Sequence, residues 1–252
     1  MAQTVFEHLR KARQQQQPLF AVLIDPDEVA IDRLPHLCTL GKESGIDLWL
    51  VGGSLLVEDQ LDAVVLGLKT HSDIPVVLFP GNTLQITPAA DALLLLSMIS
   101  SRNPELLIGR HVEAAPRLAA SQLELISTGY MLIDGGAPTS VSYMSHSLPI
   151  PANKPEIAAV TALAGQQLGL QATYLDAGSG APQPVQPSLL AAVRQQIQGP
   201  LFVGGGLRQP EQVSRLCRSG ADVIVVGNVL EEKPDRMYSL AKAVHEAKSV
   251  SW

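Results

Sequence analysis

Pro200-Leu-Phe-Val-Gly-Gly-Gly-Leu-Arg208 is an apolar run that ends in three consecutive glycines and is followed at once by a helix-like segment. An unbroken apolar run of this length suits a strand buried on both faces, as in a parallel sheet. The glycines let the backbone turn sharply and present bare N–H groups where side chains would block an anion. Some twenty residues on the pattern recurs in shorter form as Asp222-Val-Ile-Val-Val-Gly-Asn228, again followed by a helical segment. Two successive strand–glycine–helix units at the end of a chain match the phosphate site that follows strands 7 and 8 of a (β/α)₈ barrel.

Working back from that stretch, strand-like and helix-like segments alternate along the whole chain. Strands are predicted over residues 19–24, 46–51, 75–79, 92–97, 123–133, 172–176, 200–203 and 222–226. The fifth carries Thr128-Gly129, which reads as a kink or bulge. A short helix leads at 4–14, and others are predicted over 28–44, 55–71, 104–118, 154–168, 187–198 and 210–219, with a last one from 234. Residues 84–88 offer at most one loose turn between strands 3 and 4, so the third helix is degenerate and a groove is expected there. Residues 134–155 are rich in Gly, Ser, Thr and Pro and read as structureless, but carry Tyr143, Met144 and His146, which suits a flap or a surface loop. His146 is given no role. The reading is α/β, one (β/α)₈ barrel domain over residues 1–252.

A chain of 252 residues is close to the size of one such barrel, and 46% apolar content supports a sizeable core. The formal net charge of −6 argues against nucleic acid, which needs clustered Lys and Arg. Cys38 and Cys217 sit in helix-like segments and read as buried thiols, with no metal-type spacing. No signal peptide or transmembrane run is visible, so the expected location is cytoplasmic.

Barrel enzymes carry their chemistry at the C-terminal ends of the strands. Those ends offer Asp25 and Asp27, Ser54, Asn82, Asp134, then Tyr174, Asp176 and Ser179, then Gly204 to Gly206, and finally Gly227 and Asn228. The set suits phosphate held by amides and a hard cation held by carboxylate oxygen. Each residue also has a plainer reading. Strand-end glycines often only turn the chain, Ser54 and Asp25 are also good helix N-caps, and Tyr174 also fits the barrel core. Asp27 directly precedes the expected helix at residue 28, so it is the better cap and leaves Asp25 as the functional carboxylate.

Asp25-Pro-Asp27, Val51-Gly-Gly-Ser54, Phe79-Pro-Gly-Asn82, Tyr174-Leu-Asp-Ala-Gly-Ser-Gly-Ala181, Val203-Gly-Gly-Gly-Leu-Arg208 and Gly227-Asn228 together resemble the geranylgeranylglyceryl phosphate synthase family. The resemblance spans residues 19–230. It implies a (β/α)₈ barrel lacking a regular third helix. It also implies a prenyltransferase that joins a polyprenyl diphosphate, geranylgeranyl diphosphate in the name, to the 3-hydroxyl of sn-glycerol 1-phosphate. The product is an ether-lipid precursor, diphosphate is released, and Mg²⁺ is the cofactor. By the same resemblance Asp25 and Ser54 are the magnesium ligands. Tyr174, Leu175, Asp176, Ala177, Gly178, Ser179, Gly180, Gly205, Gly206, Gly227 and Asn228 form the glycerol phosphate site. Asp176 and Tyr174 are the expected catalytic residues, beside the reacting hydroxyl.

Asp176 occupies a position that the family usually fills with glutamate, and it has two readings: proton acceptor, or hydrogen-bond partner that orients glycerol. A homo-oligomer and transient contact with a membrane surface accompany the resemblance. Two other functions compete. A sugar-phosphate isomerase or epimerase would want a clear acid/base pair and no prenyl trough, and a barrel that binds phosphometabolites without catalysis would not need metal-type ligands.

Overall fold

The eight apolar runs pair in chain order into a closed, all-parallel barrel in the computed structural model, which describes residues 4–58, 60–228, 230 and 233–247. The expected chain ends at 1–3 and 248–252 lie outside the described residues. The strands are β1 Leu19–Ile24, β2 Leu48–Val51, β3 Val76–Leu78, β4 Ala92–Met98, β5 Glu124–Leu132, β6 Ala172–Asp176, β7 Leu201–Gly204 and β8 Val223–Val226. The α-helices whose bounds lie within the described residues are α1 Val5–Gln14, α2 Leu34–Ser44, α3 Leu61–His71, α4 Arg110–Ser121, α5 Ser140–Ser145, α6 Pro155–Gln167, α7 Pro187–Arg194, α8 Pro210–Arg218 and α9 Arg236–His245.

Side chains on a strand alternate between faces, so each run feeds two cores. On β1, Phe20, Val22 and Ile24 join the layer between sheet and helices, whereas Leu19 and Ala21 point into the barrel. The interior is filled by Leu48, Leu50, Val77, Leu94, Tyr174 and Phe202. Helix α1 packs Val5, Leu9 and Ala12 against this interior core, and the Glu124 carboxylate accepts from the N–H groups of Val5 (2.8 Å) and Phe6 (3.1 Å). Below β7 and β8, fully buried Arg194 donates to Asp222 at 2.9 Å, and Asp222 also accepts from the Leu201 N–H at 2.8 Å. Cys38 and Cys217 are buried free thiols, and burial pushes Cys217 up to about 12.

Three local expectations are corrected. β5 runs without a bulge, its register with β4 unbroken from Ala92↔Glu124 to Met98↔Tyr130. Gly129 instead makes room for a close approach, since a Cβ there would stand 2.8 Å from Ile99 Cδ1. Helix α2 starts only at Leu34, after a 3₁₀ turn over Ile31–Arg33, so Asp27 does not cap it. The Asp27 carboxylate instead accepts from the N–H groups of Val57 (2.6 Å) and Glu58 (3.2 Å), tying the β1 loop to the β2 loop. The 134–155 segment is not structureless, because α5 forms within it, capped by Thr139.

Between β3 and β4 no helix forms, as expected. Buried Gln85 orders this connection: its Oε1 accepts from the N–H groups of Gly81 (3.1 Å) and Gly53 (3.3 Å), and its Nε2 donates to Gly53 O at 2.8 Å. No helix among the described residues is long and apolar enough to cross a membrane.

Candidate active site

The strand ends converge on a cavity of about 570 Å³ at the C-terminal mouth of the barrel. Its lining includes Asp25, Ser54, Asn82, Tyr174, Asp176, Ser179, Gly180, Gly205, Gly206, Gly227 and Asn228, so loops after six different strands meet there. Leu175 and Ala177 lie elsewhere, buried in the outer layer between sheet and helices. Gly178 is off the lining too, its N–H donating to Asp176 Oδ1 at 2.6 Å. Asp134 accepts from the Gly136 N–H at 2.9 Å, a local turn away from the cavity lining.

One wall is built from main-chain amides. Gly205 and Gly206 turn at φ of 84° and 68°, a region that side chains disfavour. Among the described residues no acceptor is found for the N–H groups of Gly205, Gly206 and Gly227. The Ser179 hydroxyl donates to Asn228 Oδ1, which joins the β6 and β8 loops across the glycine turn. Gly205 is also needed for packing. A Cβ there would stand 2.6 Å from Gly178 N and 2.8 Å from Asp176 Oδ1. Gly180, by contrast, has open space where a Cβ would be. Free N–H groups with no Cβ over them are what an anion needs.

Asp176 lies beside that wall, buried at 8% exposure. Tyr130 donates its hydroxyl to Asp176 Oδ2 at 2.7 Å. Burial raises the Asp176 pKa, opposed by the bonds from Tyr130 and the Gly178 N–H. Burial likewise holds the Tyr130 and Tyr174 phenols well above their ordinary range, so both are neutral donors. Tyr174 stacks between Phe79 (4.9 Å between centroids) and Phe202 (5.8 Å), which fixes its ring. Its hydroxyl rests against Gly204, where a Cβ would be only 2.5 Å away.

Across the mouth, half-buried Asp25 has its pKa raised by burial, with the nearby charges of Asp27 and Glu28 adding to the rise. The β2 loop passes close by, since a Cβ on Gly53 would stand 2.6 Å from Asp25 Oδ2. Ser54 follows in that loop, and Glu28 shares the lining. No group of three His, Cys, Asp or Glu residues arranged for a metal is found among the described residues. The donors here are oxygens alone, and three neighbouring acids have no ion-pair partner among the described residues. Such a set fits Mg²⁺, which takes one or two protein carboxylates and completes its shell with water and substrate phosphates.

From the mouth the cavity leaves the barrel on the side of the absent helix. Ile86, Leu93, Leu95, Ala114 and Leu118 line it there, and these belong to the outer layer, between β4 and α4. Val141 and Met144 of α5 also line the cavity, Val141 packing against the interior core. The residues that sequence reading passed over are Tyr130, Gln85 and Glu28. Only Glu28 had a local signal, in the acidic run Asp25-Pro-Asp-Glu28.

Comparison with known proteins gives the same outline. A model of the PcrB family matches residues 10–247. A geranylgeranylglyceryl phosphate synthase of Chitinophaga pinensis is 51% identical over 234 residues, covering 92% of each chain. One from Thermococcus kodakarensis is 41% identical over 219 residues, covering 86% of each. Among solved structures, (S)-3-O-geranylgeranylglyceryl phosphate synthase from Thermoplasma acidophilum, in complex with substrate sn-glycerol-1-phosphate, superposes with a TM-score of 0.92. It is 30% identical, and the match covers 98% of this chain and 100% of that one.

Proposed function

This chain belongs to the PcrB family, and from that premise we propose that it is a prenyltransferase joining a polyprenyl diphosphate to the 3-hydroxyl of sn-glycerol 1-phosphate. The observation that carries this reading is that a wall of free glycine amides and an apolar trough open into one cavity, with carboxylates between them. An isomerase or a passive phosphate binder has no use for that trough.

The amides of Gly205, Gly206 and Gly227, with Ser179 and Asn228 beside them, bind the phosphate dianion. Tyr174 and Asp176 then lie next to the glycerol. A carboxylate oxygen has two lone pairs, so Asp176 can accept the 3-hydroxyl proton while keeping its bonds from Tyr130 and Gly178. A raised pKa brings a carboxylate closer to the basicity that proton transfer needs. The hydroxyl oxygen bonds to C1 of the prenyl chain as the C1–O bond to diphosphate breaks. The proton passes to Asp176 and the electron pair leaves with diphosphate.

Asp25 and Ser54, with Glu28 near, would hold Mg²⁺. When bound there it would supply positive charge to stabilise the diphosphate leaving group. The trough along β4 and α4 takes the prenyl chain, and α5 keeps water from the reacting carbon. Apolar side chains left exposed on α4 and α6, Val112 and Val160, support a homo-oligomer, and exposed Leu55 and Met144 at the mouth support contact with a lipid surface. The test is incubation with sn-glycerol 1-phosphate, Mg²⁺ and a ladder of prenyl diphosphates, followed by product analysis. An ether product with diphosphate release is expected, and no product from any chain length defeats the reading.

A further inference from the structure

The glycine stretch that decides the fold ends in Arg208, which lines the cavity but has no part in the chemistry above. Its guanidinium is committed to main-chain oxygens on two different loops. Nη1 donates to Ala181 O at 2.9 Å and to Gly206 O at 3.4 Å, and Nη2 donates to Gly180 O at 3.1 Å. Gly180 and Ala181 follow β6, whereas Gly206 follows β7. The arginine is itself anchored, its N–H donating to Gln212 Oε1 at 3.0 Å and its carbonyl accepting from Arg236 Nη1 at 3.0 Å. No ion pair to Arg208 is found among the described residues.

The bonds have a directional consequence. In a trans peptide the N–H points opposite to the preceding C=O, so holding Gly206 O by the guanidinium turns the Leu207 N–H the other way. Among the described residues that N–H has no acceptor, and Leu207 also lines the cavity. Gly180, whose carbonyl is held on the other loop, has φ of 70° and nothing where a Cβ would be. The planar fork meets all three carbonyls with donors held at fixed angles. A lysine ammonium is a single point charge.

We propose that Arg208 is a positioning residue for the phosphomonoester dianion: it clamps the β6 and β7 loops so that their amides stay open to phosphate, and it leaves its positive charge beside them. The inference rests on the prenyl-transfer reading of this cavity. Its signature is selectivity. Hydrogen bonds to a charged group are each worth about 1.5–3 kcal/mol, and 1.4 kcal/mol is tenfold in affinity. In Arg208→Ala the KM for sn-glycerol 1-phosphate should therefore rise about tenfold or more. The KM for the prenyl diphosphate and the Mg²⁺ requirement should stay where they are. Added guanidinium ion should lower the raised KM. Arg208→Lys keeps the charge without the fork and should bind glycerol phosphate more weakly than the parent by calorimetry, with its unfolding midpoint unchanged.

The clamp is overturned if folded Arg208→Ala keeps the parent's KM for glycerol phosphate, or if both substrates and the unfolding midpoint suffer alike. If Arg208→Ala does not fold, Arg208→Lys decides, and unaltered glycerol phosphate affinity in that variant overturns the clamp. A parent protein that turns over no prenyl diphosphate defeats the prenyl-transfer reading instead. In that case calorimetry with glycerol phosphate on parent and Arg208→Lys still decides the clamp.

Discussion

Tyr130→Phe removes one oxygen atom from the buried centre of the barrel and leaves the ring. In the parent that hydroxyl donates to Asp176 Oδ2 at 2.7 Å and opposes the effect of burial on the Asp176 pKa. Loss of the donor leaves the carboxylate with the Gly178 N–H alone at 2.6 Å. A bond of this kind to a charged group contributes about 1.5–3 kcal/mol, and one pH unit corresponds to about 1.36 kcal/mol. The base form of Asp176 then requires a higher pH, so the acid limb of the rate profile moves upward. Below that limb the variant should be slower than the parent by roughly ten- to a hundredfold, while on the plateau above it the two converge. The assay is single-turnover prenyl transfer at saturating sn-glycerol 1-phosphate over a pH series. Asp176→Asn is the partner experiment. It should abolish the limb and lower the rate by about 10²–10⁴ if Asp176 takes the proton, while Asp176→Glu stays active. An acid limb that does not move in Tyr130→Phe, or an Asp176→Asn loss below about tenfold, refutes proton acceptance by Asp176 and leaves it an orienting group.

Three further outcomes test other parts of the molecule. Asp25→Asn removes the half-buried charge at the mouth and should raise the Mg²⁺ requirement with glycerol phosphate affinity retained; an unchanged Mg²⁺ titration would show that the carboxylate does not hold the cation. Asp222→Ala strands the fully buried Arg194 guanidinium and should cost about 3–5 kcal/mol, read as a lower urea midpoint with an unchanged slope. His245 has its pKa raised chiefly by its bond to Asp47, with Nε2 2.9 Å from Oδ2. The stabilisation is complete below the unfolded value of about 6.5 and is lost as pH rises through the folded value. The pair is partly exposed and screened by solvent, so less than about 1 kcal/mol is at stake, and His245→Gln should flatten the stability profile in that window.

Features written in adjacent residues are legible before any fold is known. Apolar-rich runs announce buried strands, and eight of them in alternation with helical periods leave little choice but the barrel. The missing third helix was legible as a connection too short to form one, and the glycine turns of β7 and β8 as motifs. Where the same local signal served two physical ends, reading failed. Gly129 looked like a bulge because glycine breaks strands, yet it is there to let Ile99 approach; Asp27 looked like a cap because it stood before an acidic helical start, yet it binds amides thirty residues away. That Tyr130 serves Asp176 follows from packing across the barrel. The two are 46 residues apart, and they meet because the β5–β6 register sets Tyr130 opposite Tyr174, which places Asp176 two residues further along the same inward face. Register is fixed by the closure of all eight strands at once, and no window of the chain contains that information.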